Sequence, residues 1–322
     1  MSLRRLWQRL ATTRNDRRIQ AIKSEVFALR RQTAALLHLI GDQEARRVRG
    51  LPNRTPLIEA EFKIYSQFGQ DGILQYLFSR IPSVNPTFIE FGVEDYSEAS
   101  TRFLLLHDHF SGLVMDGRPD LAKLVADQGL PMMYPLEVVS AFISAENING
   151  LITTAGFSGE VGVLAVDIDG NDYWVWKAIT CIRPQIVVAE YNAIFGPHAA
   201  ITVPYVPDFT RQGAHESWLY FGASLRALCL LAEEKGYVFA GCNAAGNDAF
   251  FVRKDLADPC PNPSPEAGFR DSQFRESRDR RGRMNLLAGP ARLEAIGHLP
   301  VLDLADGQLR PLWEAIPPTP GF

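Results

Sequence analysis

The chain has 322 residues, 46% of them hydrophobic and 22% charged, with a formal net charge of −4. This is the composition of an ordinary globular protein, and it excludes a disordered, collagen-like or disulfide-dense chain. No apolar run approaches the roughly 20 residues that span a bilayer, and the first residues lack a signal-peptide apolar core, so the chain reads as cytoplasmic.

Charge is unevenly spread. Residues 1–50 carry twelve Lys/Arg against four Asp/Glu, and the remainder carries 21 against 33. A basic arm on an acidic body points to an anionic contact for the arm. The arm reads as helix, with no Gly or Pro before Gly41. Ile19, Ile22, Val26, Leu29, Thr33, Leu36 and Ile40 follow a 3-4 spacing, a coiled-coil seam of about three heptads. One reading is a homo-oligomer through residues 19–40; the other is a helix packed on its own body. Upstream, Leu3, Leu6, Trp7 and Leu10 share a face beside Arg4, Arg5 and Arg9. That face suits peripheral contact with an anionic membrane, and a frayed solvated terminus is the alternative.

Gly50–Pro56 is a linker by composition, and an α/β domain is expected over residues 57–257. A helix is expected over Asp71–Ile81. Strands are expected at Thr87–Val93, Gly112–Met115, Met133–Val139, Gly162–Asp167 and Gln185–Glu190, alternating with helical segments. Such alternation implies a doubly wound, mainly parallel sheet. An irregular stretch, Phe195–Tyr220, precedes a helix capped by Ser224 and a hairpin of Tyr237–Cys242 with Asp248–Arg253. Residues 258–322, rich in Pro and in both charge signs, read as a loosely packed tail with a short helix near Gly289–Ile296, free to wrap the domain or a neighbour. The four cysteines lack metal-ligand spacing and read as reduced thiols. The acidic body has no aromatic–basic stripe, which argues against nucleic acid.

Chemistry-bearing residues cluster at the ends of the apolar runs. The first strand ends in Glu90-Phe91-Gly92, where a carboxylate and a glycine turn suit a nucleotide-type pocket floor and let a ligand approach the backbone. Asp116 ends the second strand, where such folds hold a ribose diol. Val163–Val166 run into Asp167-Ile168-Asp169-Gly170-Asn171-Asp172. Successive carboxylates on a continuing strand point to opposite faces, so Asp167 and Asp169 converge only if the backbone turns, which Gly170 favours. Asn171 or Asp172 suits a helix cap. The next strand ends in Glu190-Tyr191-Asn192. Asp167, Asp169, Glu190 and Asn192 thus become candidate oxygen ligands for Mg²⁺ or Mn²⁺, or partners for an organic substrate. His198 and His215 in the irregular stretch are candidate proton acceptors beside Asp169, whereas His107 and His109 read as structural.

These segments resemble the FkbM-like branch of class I S-adenosylmethionine-dependent methyltransferases. The resemblance rests on Ser66-Gln67 with Gln70-Asp71-Gly72, Phe88–Tyr96 with Ser100–Leu105, Gly112–Gly117 and Val166–Asp172, and covers roughly residues 60–255. It implies a seven-strand Rossmann-like sheet and S-adenosylmethionine as cofactor, with Glu90 and Gly92 at the methionine end, Asp116 at the ribose and Asp167 among the cofactor contacts. It also implies methyl transfer to a hydroxyl, on a sugar of a surface glycan or its precursor, with a divalent ion assisting at the Asp-x-Asp cluster. Where the family carries a second glycine, this chain has Glu94. Two readings stand beside that enzyme: a metal-dependent glycosyltransferase using Asp167 and Asp169, and a non-catalytic scaffold of a polysaccharide assembly complex.

Overall fold

The computed structural model describes residues 3–273 and 275–316, with the side chains of 3–17, 27 and 30 outside the description. The chain divides into two compact units, residues 1–46 and 47–322. Among the described residues no helix is long and apolar enough to cross a membrane.

A single helix, Leu3–Arg49, supplies the first unit. The seam residues Ile19, Ile22, Val26, Leu29, Leu36 and Ile40 are exposed by 43–61% of their surface, and Thr33 is exposed with them. The side chains of Leu3, Arg4, Arg5, Leu6, Trp7, Arg9 and Leu10, the expected membrane face, lie outside the described residues.

The second unit is built on a seven-stranded sheet. Its strands are β1 (Thr87–Phe91), β2 (Ser111–Asp116), β3 (Leu136–Ser140), β4 (Gly159–Val166) and β5 (Ile182–Glu190), then β7 (Tyr237–Cys242) and β8 (Asp248–Arg253) after a short β6 (Ile201–Thr202). The order is β3-β2-β1-β4-β5-β8-β7, parallel throughout except for β8, which runs against both its neighbours. This is the doubly wound, mainly parallel sheet expected. Its central strands are buried on both faces, which is why they read as unbroken apolar runs. Helices pack on the sheet through residues such as Trp176, Leu228 and Leu231. The helix Leu225–Glu234 opens on Ser224, whose hydroxyl accepts the Ala227 N–H.

Register decides what meets at the carboxyl edge. Glu90 stands opposite Val114 and Ala165, and Val166 opposite Ala189. Glu90, Asp116, Asp167 and Glu190 therefore leave the sheet along one rim. Because β8 is antiparallel, its first residue, Asp248, pairs with Glu190 and joins the same rim.

The tail is not loose. It belongs to the same compact unit as the sheet. Residues 300–303 (β9) and 309–311 (β10) form a three-stranded antiparallel sheet with β6. Ile296, Val301 and Leu312 bury a second core against Phe195, Ile201, Leu219 and Tyr220. The apolar residues of the irregular stretch need a cover, and the tail provides it.

Candidate functional site

A cleft of about 510 Å³ opens along that rim, within the usual range of roughly 300–1,000 Å³ for small-molecule sites. One end is built from the loops after β1 and β2. Glu90 is buried, and burial raises its proton affinity more than its hydrogen bonds lower it. Its Oε1 accepts the Ser100 N–H at 2.8 Å, and its Oε2 accepts the Thr101 N–H at 3.0 Å and the Thr101 hydroxyl at 2.5 Å. Glu90 therefore anchors the following loop as well as lining the cleft.

Gly92 lines the cleft and has a steric reason of its own to be glycine. It sits at φ +71°, and a Cβ there would stand 1.5 Å from the carbonyl oxygen of Asp167. The glycine is required by the close passage of the β4 end, independently of any ligand. Glu94 also lies in the left-handed region, at φ +50°, with its side chain exposed. Its N–H donates to Asp116 Oδ2 at 2.8 Å, while Asp116 Oδ1 accepts the Arg118 N–H at 2.8 Å. The backbone thus makes the turn that a glycine would make freely. Each Asp116 oxygen keeps a further acceptor site, and the residue lines the cleft. Phe142, 48% exposed, lines the cleft beside Gly117 and was not anticipated from the sequence.

The other end holds the acidic cluster. The turn between the two aspartates is made by Asp169 itself, at φ +56°, and not by Gly170. Aspartate is among the few residues that visit this region readily. Gly170 has a different reason to be glycine: a Cβ there would lie 2.2 Å from the Phe209 ring. The turn brings Asp167, Asp169 and Glu190 together, each offering an oxygen within 4.8 Å of the others. Asp172 lies behind them. Its carboxylate accepts the N–H groups of Ile168 and Gly170 at 2.8 and 2.9 Å, and burial pushes its pKa up to about 6.

Electrostatics in this cluster are unfavourable to full ionisation. Asp167 is exposed to the water of the cleft, whose walls still strip it of part of its hydration. That desolvation, then the charges of Asp169, Asp172 and Asp248, hold its carboxyl well above the usual range. Glu190 is raised in the same way, by burial first and then by Asp167, Asp169 and Asp172, and its Oε2 is buried without a hydrogen-bond partner. Asp248, hydrogen-bonded by Gln70 at 2.6 Å and Asn243 at 2.8 Å, is pushed up to about 7 by burial.

Arg211 answers part of this charge. Its Nη1 pairs with Asp169 at 2.8 Å, its Nη2 pairs with Glu276 from the tail, and its Nε donates to the Trp218 carbonyl. The guanidinium lies 4.2 Å over the Phe221 ring. Arg211, Glu276, Asp248 and Phe209 were absent from the sequence-derived site. Only Asp248, first residue of the hairpin's second strand, had a readable signal.

Three expected residues do not join the carboxylates, although Asn192 lines the cleft. The Asn192 side chain is consumed locally: its Oδ1 accepts the Ile194 N–H, and its Nδ2 donates to the Leu219 and Phe221 carbonyls. The amide serves as a cap, which its sequence position also allows. His198 is exposed and does not line the cleft. His215 borders a separate recess, hydrogen-bonded to Ser217 at 2.8 Å with the His298 ring 5.9 Å away, and burial lowers its pKa. Neither histidine reaches the carboxylates, because the 193–221 stretch turns its Phe209–Gln212 portion to the cleft instead.

No protein-family model and no curated protein matches the chain. Solved structures with a similar arrangement include the mitomycin 7-O-methyltransferase MmcR, at 15% identity and TM-score 0.32 over 52% of this chain and 48% of that one. A Burkholderia thailandensis protein of an O-methyltransferase family matches at 13% identity and TM-score 0.34, over 64% and 59%. A putative O-methyltransferase from Klebsiella pneumoniae matches at 14% and 0.35, over 67% and 90%. The chain spans about half the length of the mitomycin enzyme. At these scores the likenesses carry no functional inference.

Proposed function

We propose that the chain is an S-adenosylmethionine-dependent O-methyltransferase acting on a sugar hydroxyl of a surface glycan or its precursor. The observation that carries this reading is the division of one cleft into two ends. Asp116 and the Gly92–Glu94 turn offer carboxylate oxygens and backbone where a ribose and a methionine moiety would lie. The carboxylates of Asp167, Asp169 and Glu190 stand at the other end, where a hydroxyl would be activated.

In the reaction the carbon–sulfur bond of the sulfonium breaks as the acceptor oxygen bonds to the methyl carbon. The hydroxyl proton passes to the carboxylate cluster. Asp169, fixed by Arg211, orients the hydroxyl, and the ionised member of the crowded Asp167–Glu190 pair takes the proton, its proton affinity raised above that of a free carboxylate. Charge is lost overall, since a sulfonium becomes a neutral thioether, and a poorly hydrated cleft favours that change.

The same three carboxylates fit a divalent ion. They offer oxygen donors only, and the partnerless Glu190 Oε2 is the kind of atom an ion satisfies. Mg²⁺ or Mn²⁺ bound there would supply Lewis acidity that lowers the pKa of the hydroxyl. The test is to supply methyl-labelled S-adenosylmethionine with surface glycan and simple sugars, before and after exhaustive chelation. Label in the sugar fraction supports the reading, and loss on chelation supports the ion. Cofactor binding with no label in any sugar would refute the glycan acceptor.

We infer also that the exposed seam on Leu3–Arg49 pairs with a second copy of itself. Light scattering of Leu29→Lys/Leu36→Lys should report a smaller particle with cofactor binding unchanged; an unchanged mass would refute the pairing.

A further inference from the structure

The charge lining the cleft restricts what can enter it. Among the described residues ten carboxylates line it, and the cationic side chains are Arg211 and Arg292 alone, with no Lys or His. Neither arginine is available to a ligand. Arg211 is divided between Asp169, Glu276 and the Trp218 carbonyl. Arg292 is buried, with Nη2 on Asp271 Oδ1 at 2.6 Å, Nη1 directed at the Ser272 carbonyl at 3.5 Å, and a single partnerless Nε donor.

Four of the ten, Glu90, Asp167, Glu190 and Asp248, stand together at the strand ends, where like charges oppose full ionisation. With all four neutral, six carboxylates still face two arginines. A cleft lined by one sign of charge focuses its field inward, toward a bound ligand. A phosphate or a carboxylate with no cation of its own would be desolvated opposite like charges, which is how a site rejects a ligand, whereas the cofactor's carboxylate carries its own ammonium beside it. A sulfonium gains from the same field.

We propose that the acceptor is a neutral or amine-bearing polyol, and that phosphorylated, nucleotide-linked and uronate sugars are excluded. The inference rests on the methyltransferase reading and narrows its substrate class. It places the step on sugars that carry no diphosphate, before activation by a nucleotidyl donor or after transfer from one. It also separates this cleft from a glycosyltransferase, whose donor is a nucleotide-sugar.

Calorimetric titration with S-adenosylmethionine, S-adenosylhomocysteine, UDP-glucose and glucuronate, each with and without Mg²⁺, tests it. The two cofactor forms should bind. UDP-glucose and glucuronate should show no saturable binding up to about 1 mM. Raising NaCl tenfold should weaken the sulfonium form by about fivefold more than the neutral thioether, because salt screens the field. Cofactor binding together with submillimolar UDP-glucose or glucuronate binding, or equal salt dependence of the two cofactor forms, overturns the acceptor inference alone. Failure of both cofactor forms to bind overturns the methyltransferase reading and this inference with it.

Discussion

The two ends of the cleft handle negative charge in opposite ways. At the Glu90–Asp116 end each carboxylate is satisfied by backbone N–H groups of loops within about one βα unit of it. At the Asp167–Glu190 end the carboxylates face one another, and the cation that steadies them is brought in by Arg211 and tied to Glu276 in the tail. The first end is preformed by local backbone geometry and suits a cofactor common to many reactions. The second is assembled from distant parts of the chain and holds unspent electrostatic stress, which suits the variable chemistry of an acceptor.

That contrast can be broken experimentally. Arg211→Ala should have the largest effect. It leaves Asp169 and Glu276 without their cation, at a cost of about 2–4 kcal/mol in urea unfolding, less than a fully buried pair because Asp169 is half exposed. A loss below about 0.5 kcal/mol would mean that the tail does not hold this end. Gly92→Ala probes the point where the two ends touch. The Cβ must displace the Asp167 carbonyl from 1.5 Å, at positive φ, so a destabilisation of about 2–3 kcal/mol is expected. A neutral outcome would show the β1 loop to be more yielding than its hydrogen bonds imply.

Asp248→Asn sharpens the comparison more gently. Asp248 binds a proton more tightly when folded, at about 7 against the ordinary 3.8 of an aspartate. Its folded-state advantage is therefore fully present below the unfolded value and is lost as pH rises toward 7. The variant, which cannot ionise, should gain stability relative to wild type by about 1–2 kcal/mol between pH 4 and about pH 5.5, and go on gaining until about pH 7. A pH-independent difference would place the proton elsewhere on the rim.

Much of this site could be read from the chain. Buried parallel strands leave apolar runs, and the residue after each run must surface at the carboxyl edge, so Glu90, Asp116, Asp167 and Glu190 follow from strand order alone. Asn192 looked like a ligand because it shares that position, but an amide ahead of a one-turn helix is equally a cap. Arg211 and Glu276 leave no local pattern: they lie 65 positions apart in segments without periodicity, and only tertiary packing pairs them. The small sheet did have a signal. Asp306-Gly307 between Val301–Leu304 and Leu309 is a hairpin turn pair, masked by the Pro-rich, charged sequence before it.

The most direct test of the two-ended cleft is titration of S-adenosylmethionine into wild type, Asp116→Ala and Asp167→Asn. Wild type should bind at about micromolar Kd, Asp116→Ala should lose about 1–3 kcal/mol of binding, and Asp167→Asn should bind as wild type does. No binding by the folded wild type, or an Asp116→Ala affinity equal to wild type, would contradict the assignment of that end to the cofactor.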